Sequence, residues 1–438
     1  MAAEQAATIS NIGDLFMKQV AVLLFVILGT LAAPAQDRAP VEPTLSPAER
    51  SIRAARNLIE KNPKNFEAYN ALALALSRRA RETSDIKFYA AAEDALQKSF
   101  AISPDNFDGQ RTHVWLLLGK HEFAAALVEG KKLNKKLPDD VMLYGFLTDA
   151  NVELGNYQDA EKAAQWMLDL RPGNLPGLTR AAYLRELFGD IDGALDLMDI
   201  AYQSTPPTEV EDGAWILTQM AHLKLAEGKL AEAETLLQRA LAMFPGYHYA
   251  LGNLAKVRIQ QRRYSEAVLL LKERYEKAPH AENLYELAQA LRLAGQTREA
   301  DLAFADFEQK SLLETNRADN SNHELVFYYA DYVQKPVKAL EVAEREYSRR
   351  HDIYTLDAYA WALHKNGRDV EARKQIETAL AVGVHDAKLL DHAGEIVLSL
   401  KDRVAAEKYL RQSAELNAPG SEQAKTVLAA LSHAGMQE

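Results

Sequence analysis

The chain has no cysteine among its 438 residues. Disulfides, thiolate metal sites, thiol catalysis and a lipidated cysteine anchor are therefore excluded. Glycine and proline are not in excess, at 21 and 15 residues, and the well-mixed charges are typical of a folded chain. An excess of positive charge is also missing, because 51 basic and 62 acidic residues give a net charge of −11. This balance argues against broad binding to nucleic acid or anionic lipid.

Recognisable catalytic motifs are missing as well. The sequence contains no phosphate-binding G-x-x-x-x-G-K, no G-x-S-x-G elbow and no strand followed by G-x-G-x-x-G. His323 and Glu324 begin a pattern typical of zinc peptidases, but Phe327 stands where the second histidine belongs. The 11 histidines are scattered, and none has paired ligand spacing on one helix. We therefore expect no enzyme activity, no metal and no cofactor, with a catalytic site hidden from sequence reading as the alternative.

Long hydrophobic runs are scarce, and the one that stands out lies near the N-terminus. Lys18 is followed by the apolar stretch Val20–Ala32 and then by Ala33–Ala35, an A-x-A-like site. This order is typical of a secretory signal, and the run is shorter than the about 20 residues that a spanning helix needs. We expect residues 1–35 to be a cleaved signal peptide, with translation starting at Met17. The mature chain would be periplasmic or secreted, and the alternatives are an uncleaved N-terminal membrane anchor or a buried core helix.

The next segment, residues 36–65, is predicted to be a linker followed by a helix. Pro40 and Pro43 lie in a stretch without hydrophobic periodicity, which favours an extended conformation. Ser46 then precedes Pro47, and Glu49 stands three residues after the serine. This pattern predicts a capping box at the start of a helix that runs to about residue 60.

Chain-breaking and small residues recur at a fixed interval through most of the chain. Prolines that close helical stretches stand at positions 63, 104, 138, 172, 206, 245 and 279, at intervals of 41, 34, 34, 34, 39 and 34. Alanines recur at intervals of 33 or 34, interrupted twice by 39. These are Ala92, Ala126, Ala160, Ala194, Ala233, Ala267, Ala300, Ala339, Ala372 and Ala406. A period of this length indicates stacked units of supersecondary structure.

Each unit has the pattern of a helical hairpin. In the stretch GNYQDAEKAAQWMLDLRPGN, residues 155–174, the apolar residues have the spacing of an amphipathic helix. Residues 143–154 give a second such helix upstream, and Gly155 and Asn156 supply the turn between them. We expect the repeat alanine to lie where the two helices cross, since a larger side chain would overpack the crossing by roughly 1–3 kcal/mol. The proline ends the second helix.

The repeat resembles the tetratricopeptide repeat (TPR) family. The segment LAEGKLAEAETLLQRALAMFPG, residues 225–246, matches the second half of its motif, and YNALALAL, residues 69–76, matches the first half. The resemblance implies an all-α fold, a right-handed α-solenoid of about ten helical hairpins over residues 66–419. A capping helix and tail would follow over residues 420–438 and cover the last apolar face.

Three intervals exceed 34 residues, and we expect the extra residues to lie in loops. The longest interval, 41 residues, would lengthen the hairpin turn near Arg81–Ile86. The two intervals of 39 residues would place extra residues at Ser204–Thr208 and at Asn316–Asn322. The last four units also lack the closing proline, which makes their boundaries less sharply marked.

The resemblance also implies a binding surface, because first helices line the concave groove of TPR superhelices. Aromatic rings with polar tips along such a groove suit an extended or helical peptide. For any single aromatic residue, packing against the neighbouring hairpin is the alternative interpretation. The predicted groove residues are Arg111, Trp115, Asp149, Tyr183, Glu186, Trp215, Thr218, His222, Tyr249, Asn253, Lys256, Tyr285, Gln289, Arg292, Glu324, Tyr328, Asp331, Tyr354, Asp357, Trp361 and His364.

These features together predict an exported, non-enzymatic scaffold for protein–protein interaction. Its partners would be peptide segments or proteins held in the concave groove, and not nucleic acid. Contact with a membrane would occur only through an uncleaved N-terminal segment. The alternative is a TPR protein associated with carbohydrate or exopolysaccharide export, because groove aromatics can stack on sugars as well as on peptides.

Overall fold

A computed structural model describes residues 45–83, 85–315, 317 and 320–434. The predicted signal segment, the start at Met17 and the linker before residue 45 lie outside the described residues. The described part is helical throughout and contains no β-strand. None of its helices combines the length and the hydrophobicity that a membrane-spanning segment requires.

The described residues form 22 α-helices, numbered here in chain order. They are α1 (Pro47–Lys61), α2 (Phe66–Thr83), α3 (Lys87–Ile102), α4 (Phe107–Gly119), α5 (Phe123–Lys136), α6 (Val141–Glu153), α7 (Tyr157–Leu170), α8 (Leu175–Leu187), α9 (Ile191–Ser204), α10 (Val210–Ala226), α11 (Leu230–Met243), α12 (His248–Gln260), α13 (Tyr264–Lys277), α14 (Ala281–Leu293), α15 (Thr297–Glu314), α16 (Asn322–Phe327, continued by a π-helical turn Tyr328–Tyr332), α17 (Pro336–Tyr347), α18 (Ile353–Lys365), α19 (Asp369–Leu380), α20 (Ala387–Ser399), α21 (Arg403–Leu416) and α22 (Ser421–Ala434).

Ten antiparallel hairpins follow one another along the chain, from hairpin 1 (α2 and α3) to hairpin 10 (α20 and α21). Each hairpin packs on the next, and α1 and α22 flank the stack. This confirms the predicted all-α solenoid. All ten repeat alanines are buried, and none is more than 1% exposed. Ala160 of α7, for example, belongs to one hydrophobic cluster with Val152 of α6.

The helix before the first hairpin begins with the pattern that the sequence predicts. The Ser46 hydroxyl accepts from the main-chain N–H of Glu49 at 3.2 Å, and the Glu49 carboxylate accepts from the Ser46 N–H at 2.8 Å. This reciprocal pair is a capping box, and it satisfies two N–H groups at the helix start. At the other end of the stack, α22 packs on both helices of hairpin 10.

The extra residues of the long intervals lie mainly in helices, so the prediction of a longer turn near Arg81–Ile86 is wrong. Helix α2 has 18 residues and α3 has 16, whereas α4 and α5 have 13 and 14. Helix α10 likewise has 17 residues, so four of the five extra residues assigned to Ser204–Thr208 extend a helix instead. The segment 78–83 has no glycine or proline, and its arginines and glutamate are good helix formers that let α2 continue.

The extended ends of α2 and α10 contact each other. Arg78 at the end of α2 pairs with Glu209 at 2.7 Å, just before α10. Arg81 pairs with Glu211, which is fully buried, and with Asp212 at 2.8 Å. The residues that lengthen these two helices therefore join hairpin 1 to hairpin 5, which lie far apart in sequence.

The solenoid coils back on itself, so that the turns of early hairpins contact the loops between later ones. The turn of hairpin 3 contacts the loop before hairpin 9, and the turn of hairpin 4 contacts the loop before hairpin 10. The turn glycines Gly155 and Gly189 have φ of 74° and 81°. A Cβ on Gly155 would lie 2.7 Å from the His351 carbonyl oxygen, and one on Gly189 would lie 2.5 Å from that of Gly383. Glycine is therefore required at these turns by both conformation and space.

A hydrophobic cluster extends across this contact between early and late hairpins. Val152 and Leu187 from hairpins 3 and 4 are members, and so are Ile353 and Leu389 from hairpins 9 and 10. All four side chains are at most 3% exposed. The contact is thus a packed apolar interface rather than a meeting of surface loops.

Candidate functional site

The first helices of the hairpins form the inner face of the solenoid. In most of the stack the first helices of successive hairpins contact each other, as α4 and α6 do. Within the described ranges, second helices of neighbouring hairpins make no contact of comparable extent. The stack therefore curves with its first helices inside. All 21 predicted groove residues lie on first helices or on the π-helical turn that continues α16.

Several predicted polar residues bond one first helix to the next. Asp149 accepts from Arg180 through both carboxylate oxygens, at 2.7 and 2.6 Å. Glu186 pairs with Nε2 of His222 at 2.8 Å. Other bonds of the same kind are Arg111 with Asp140, Asp357 with His392, Asp331 with Trp361, and Gln289 with Tyr332. These pairs form a polar ladder that fixes successive hairpins to each other, a role that polar pairs can serve without any ligand.

Some predicted groove residues are buried within the stack and are not accessible from the inner face. Thr218 is fully buried, and its hydroxyl donates to the main-chain oxygen of Ala214 at 2.8 Å. The Trp361 ring stacks on His392 with centroids 4.0 Å apart, and its indole N–H donates to Asp331 at 2.9 Å. The other buried members are Glu186, Tyr285, Tyr328 and Asp357. Because neighbouring hairpins enclose these side chains, a role in packing explains them better than contact with a ligand.

The remaining predicted aromatics are half-buried at the edge of the hydrophobic clusters. They are Trp115, Tyr183, Trp215, Tyr249 and Tyr354. Burial raises the pKa of Tyr249 to about 12. Burial also raises the pKa of Tyr183 and Tyr354, and Tyr354 adds to the effect on Tyr183. All three phenols are therefore neutral near pH 7 and present O–H groups.

His364 and Asn253 are engaged within their own neighbourhood. The Nδ1 atom of His364 lies 2.6 Å from the Asp369 carboxylate. The Asn253 amide donates to the main-chain oxygen of Tyr249 at 3.0 Å, and its side-chain oxygen has no hydrogen-bond partner. Among the described residues, no group of three histidine, aspartate or glutamate side chains could hold a metal ion.

Three predicted residues meet at one cavity of about 300 Å³ between α12 and α14. Lys256, Gln289 and Arg292 lie on its polar rim. Its apolar wall consists of Gly252, Ala255, Ile259, Leu271 and Leu293, and Glu286 and Tyr332 complete the lining. Sequence reasoning missed these seven residues. The small pair Gly252 and Ala255, three residues apart on one helix face, was the signal for space between neighbouring first helices.

The charged side chains at the cavity form ion pairs with neighbouring residues of opposite charge. Glu286 contacts Arg274 and lies 3.9 Å from Lys256. Burial by itself would raise the pKa of Glu286, but these two cations hold it below its usual range, so the carboxylate is charged. The Arg292 guanidinium pairs with Asp301 at 2.6 Å and lies over the Tyr332 ring, 5.6 Å from its centroid.

Glu324 lies on the first helix next to this cavity, and its pKa is shifted in the opposite direction to that of Glu286. Burial, together with the nearby carboxylates of Glu282 and Glu286, raises the pKa of Glu324 to about 7. The group therefore changes charge near neutral pH, and it adds little negative charge to the inner face at lower pH.

Two larger clefts lie away from the inner face. One of about 680 Å³ is bounded mainly by α19 and α21, the second helices of hairpins 9 and 10. The other, of about 820 Å³, lies between the turns of hairpins 1 and 2 and the loops around Arg317 and Arg349. Neither contains a predicted groove residue, so the smaller inner-face cavity is the candidate site.

The profile of the family described as Tetratricopeptide repeat matches residues 224–291, which run from the end of α10 through α14. Together with the ten stacked hairpins, this match shows that the chain contains tetratricopeptide repeats. The match includes both helices, α12 and α14, that enclose the cavity. No curated protein sequence matches the chain significantly.

Solved structures similar to this TPR chain are also helical-repeat proteins of low sequence identity. PilW, a widely conserved type IV pilus biogenesis factor, is 15% identical, and the match covers 53% of this chain and 98% of PilW with a TM-score of 0.41. Human IFIT1, solved with m7Gppp-AAAA, is 14% identical, with 84% and 86% covered and a TM-score of 0.49. Cut9, from the APC/C complex Cut9-Hcn1, is 15% identical, with 86% and 58% covered and a TM-score of 0.44. These likenesses concern the fold alone.

Proposed function

We propose that this TPR protein is a non-enzymatic scaffold that binds segments of partner proteins at the inner face of its solenoid. The observation that carries the proposal is the cavity between α12 and α14. This cavity places an apolar wall beside a polar rim on the inner face.

The dimensions and the chemistry of the cavity suit a side-chain anchor. A volume of about 300 Å³ is at the lower end of ligand pockets and fits one or two large side chains. Gln289 and the Tyr332 hydroxyl lie on the rim and can bond a peptide backbone, while Ile259 and Leu271 contact the inserted side chain. Interfaces commonly depend on a few anchors of this kind in well-packed pockets.

The compartment and the class of partner follow from the sequence. Residues 1–35 have the order of a secretory signal, so we place the mature chain in the periplasm or outside the cell, or anchored at a membrane if the signal is kept. The net charge of −11 disfavours nucleic acid as the partner. A protein segment is thus the ligand that fits both the cavity and the charge.

A displayed random-peptide library selected on the full chain tests this function. We expect selected peptides whose affinity falls at least tenfold in Leu293→Glu, which places a charge at the cavity wall. Leu313→Glu is the matched control, because Leu313 is an exposed leucine on α15 that does not line the cavity. Peptides that bind both variants equally would contradict the site, and saturable binding of glycans alone would replace peptides as the ligand.

A further inference from the structure

Hairpins 3 and 4 carry a docking site that is filled by a distant segment of the same chain. The His351 N–H donates to the Glu153 carbonyl oxygen at 3.0 Å, and the Ile353 N–H donates to the Tyr157 hydroxyl at 3.0 Å. The Ile353 side chain is 1% exposed and lies in one cluster with Val152 and Leu187. A segment that enters a helix is thus held by two N–H groups and one buried aliphatic side chain.

Hairpins 6 and 7 contain the same arrangement of receiving residues. Counted from the repeat alanines Ala160 and Ala267, Val152 corresponds to Ile259, Tyr157 to Tyr264, and Ala164 to Leu271. Counted from Ala194 and Ala300, Leu187 corresponds to Leu293. Gln260, like Glu153, is the last residue of its helix, and Tyr264, like Tyr157, is the first residue of the next. Ile259, Leu271 and Leu293 are among the residues that line the cavity.

The two sites differ in what covers them. Leu187 is 1% exposed beneath the later hairpins, whereas its counterpart Leu293 is 49% exposed. Gly189 closely approaches the backbone at Gly383, whereas a Cβ on Gly295, its counterpart, would meet no atom within 4 Å. The cavity between α12 and α14 is therefore an open copy of a protein-binding site that this chain uses internally.

The charges around the two sites differ, because one acidic position is neutral at the open site and the other is basic. At the filled site, Glu153 pairs with Arg350 of the docked segment at 3.3 Å, and Glu186 stands close by. The corresponding residues of the open site are Gln260 and Arg292. The neighbouring ion pair has its acidic and basic partners swapped. Lys256 stands at the position of Asp149, and Glu286 stands at the position of Arg180. The open site therefore favours a segment with acidic residues where the internal segment has arginine.

We propose that the open site on hairpins 6 and 7 binds a protein segment that enters a helix with one aliphatic side chain, as Ile353 does, and that carries acidic residues just before it. This inference rests on the proposed function and specifies the ligand of the same cavity. The aliphatic side chain contacts Ile259, Leu271 and Leu293, and the Gln260 carbonyl and Tyr264 hydroxyl accept the two N–H groups. Arg292, which pairs with Asp301 in the open site, exchanges this partner for the acidic residues of the segment.

Two labelled synthetic peptides that copy residues 347–357 provide the probe. One has the native sequence, and the other carries Arg349→Glu and Arg350→Glu. By fluorescence anisotropy with the full chain, we expect the acidic peptide to bind at least tenfold more tightly than the native one. Its affinity should fall at least tenfold with Ile353→Asp in the peptide or with Leu293→Glu in the protein, and stay unchanged in Leu313→Glu.

Charge reversal in the protein supplies a second readout. Arg292→Glu should shift the preference from the acidic peptide toward the native one. Equal binding of the two peptides, no saturable binding, or no effect of Leu293→Glu would each overturn the inference. If library peptides without this pattern bind in a manner that depends on Leu293, the inference fails and the proposed function stands. If no library peptide binds at the cavity, the proposed function fails as well.

Discussion

The main-chain N–H of His351 donates a hydrogen bond of 3.0 Å to the carbonyl oxygen of Glu153. This bond joins the loop before hairpin 9 to the last residue of α6, and Arg350 and Glu153 add an ion pair between positions 197 residues apart. A solenoid with only neighbour-to-neighbour contacts would have a stability that is a sum over adjacent repeats. Here contacts between distant hairpins add to that sum.

We expect Gly155→Ala, which changes this contact, to lower the free energy of unfolding more than Gly367→Ala, which lies outside it. Both glycines have φ near +73°, so each alanine costs roughly 1–2 kcal/mol in backbone strain. Only at Gly155 would the Cβ also meet a main-chain oxygen, at 2.7 Å, whereas Gly367 has open space. The displacement adds roughly 1–3 kcal/mol. Chemical denaturation measures the difference, and equal losses in the two variants would show that the distant contact carries no stability.

The repeat alanines should tolerate no enlargement. Ala233→Leu places three further carbons at a fully buried helix crossing and should reduce the free energy of unfolding by roughly 1–3 kcal/mol. Ala231, two residues earlier, is exposed, so Ala231→Leu is the matched control and should change stability by less than about 0.5 kcal/mol. Thermal and urea denaturation distinguish the two. A neutral Ala233→Leu would mean that the crossing has spare volume.

The pair of Arg81 and Glu211 should contribute more than an exposed ion pair. Glu211 is fully buried and also accepts from the Tyr247 hydroxyl at 2.8 Å. Arg81→Met leaves this carboxylate without its cation, and because the Arg81 side chain is 37% exposed, the cost should stay below the roughly 3–5 kcal/mol of a fully buried pair. The exposed pair of Arg368 and Glu371 is the control, because solvent screens this ion pair and Arg368→Met should leave the stability nearly unchanged. The double variant Arg81→Met, Glu211→Gln should recover stability, and further loss there would contradict the argument.

Asp391 should make stability fall as the pH rises. It is 5% exposed, and burial, followed by the negative charge of Glu395, raises its pKa from 3.8 to about 7, against the opposing effects of His392 and Lys388. The folded state therefore binds a proton that the unfolded state releases between about pH 4 and 7. The contribution of this group is fully present below about pH 4 and is lost as the pH rises through about 7.

Asp391→Asn, which copies the protonated form, tests this dependence. At pH 8 the variant should be more stable than the wild type by an amount on the order of 2–4 kcal/mol, and at pH 4 the two should be equal. Asp139→Asn, at an exposed position, is the control. Denaturation at both pH values gives the comparison, and a difference that does not change with pH would rule out titration of Asp391 as its source.

The hairpins could be predicted from the local sequence pattern, because Ala160 and its equivalents indicate where two helices adjacent in sequence cross. The contact between Glu153 and His351 leaves no such pattern, because nothing in either segment identifies a partner 198 positions away. The helix positions facing inward were also predictable. Which of these positions is open could not be predicted. Trp361 is covered by His392 of the next hairpin, whereas Gln289 borders a cavity that Gly252 and Ala255 of another helix also line.

Trp361 should therefore affect stability and not binding. Its ring stacks on His392, its N–H donates to Asp331, and Lys365 lies over its face 4.1 Å from the centroid. Trp361→Phe keeps an aromatic ring but removes the donor and some buried surface, which should cost roughly 1–3 kcal/mol. The affinity for peptides that depend on Leu293 should remain within twofold of the wild type. A large loss of affinity without loss of stability would instead place Trp361 in the ligand site. The neighbouring hairpin that buries its ring would then have to move away when the ligand binds.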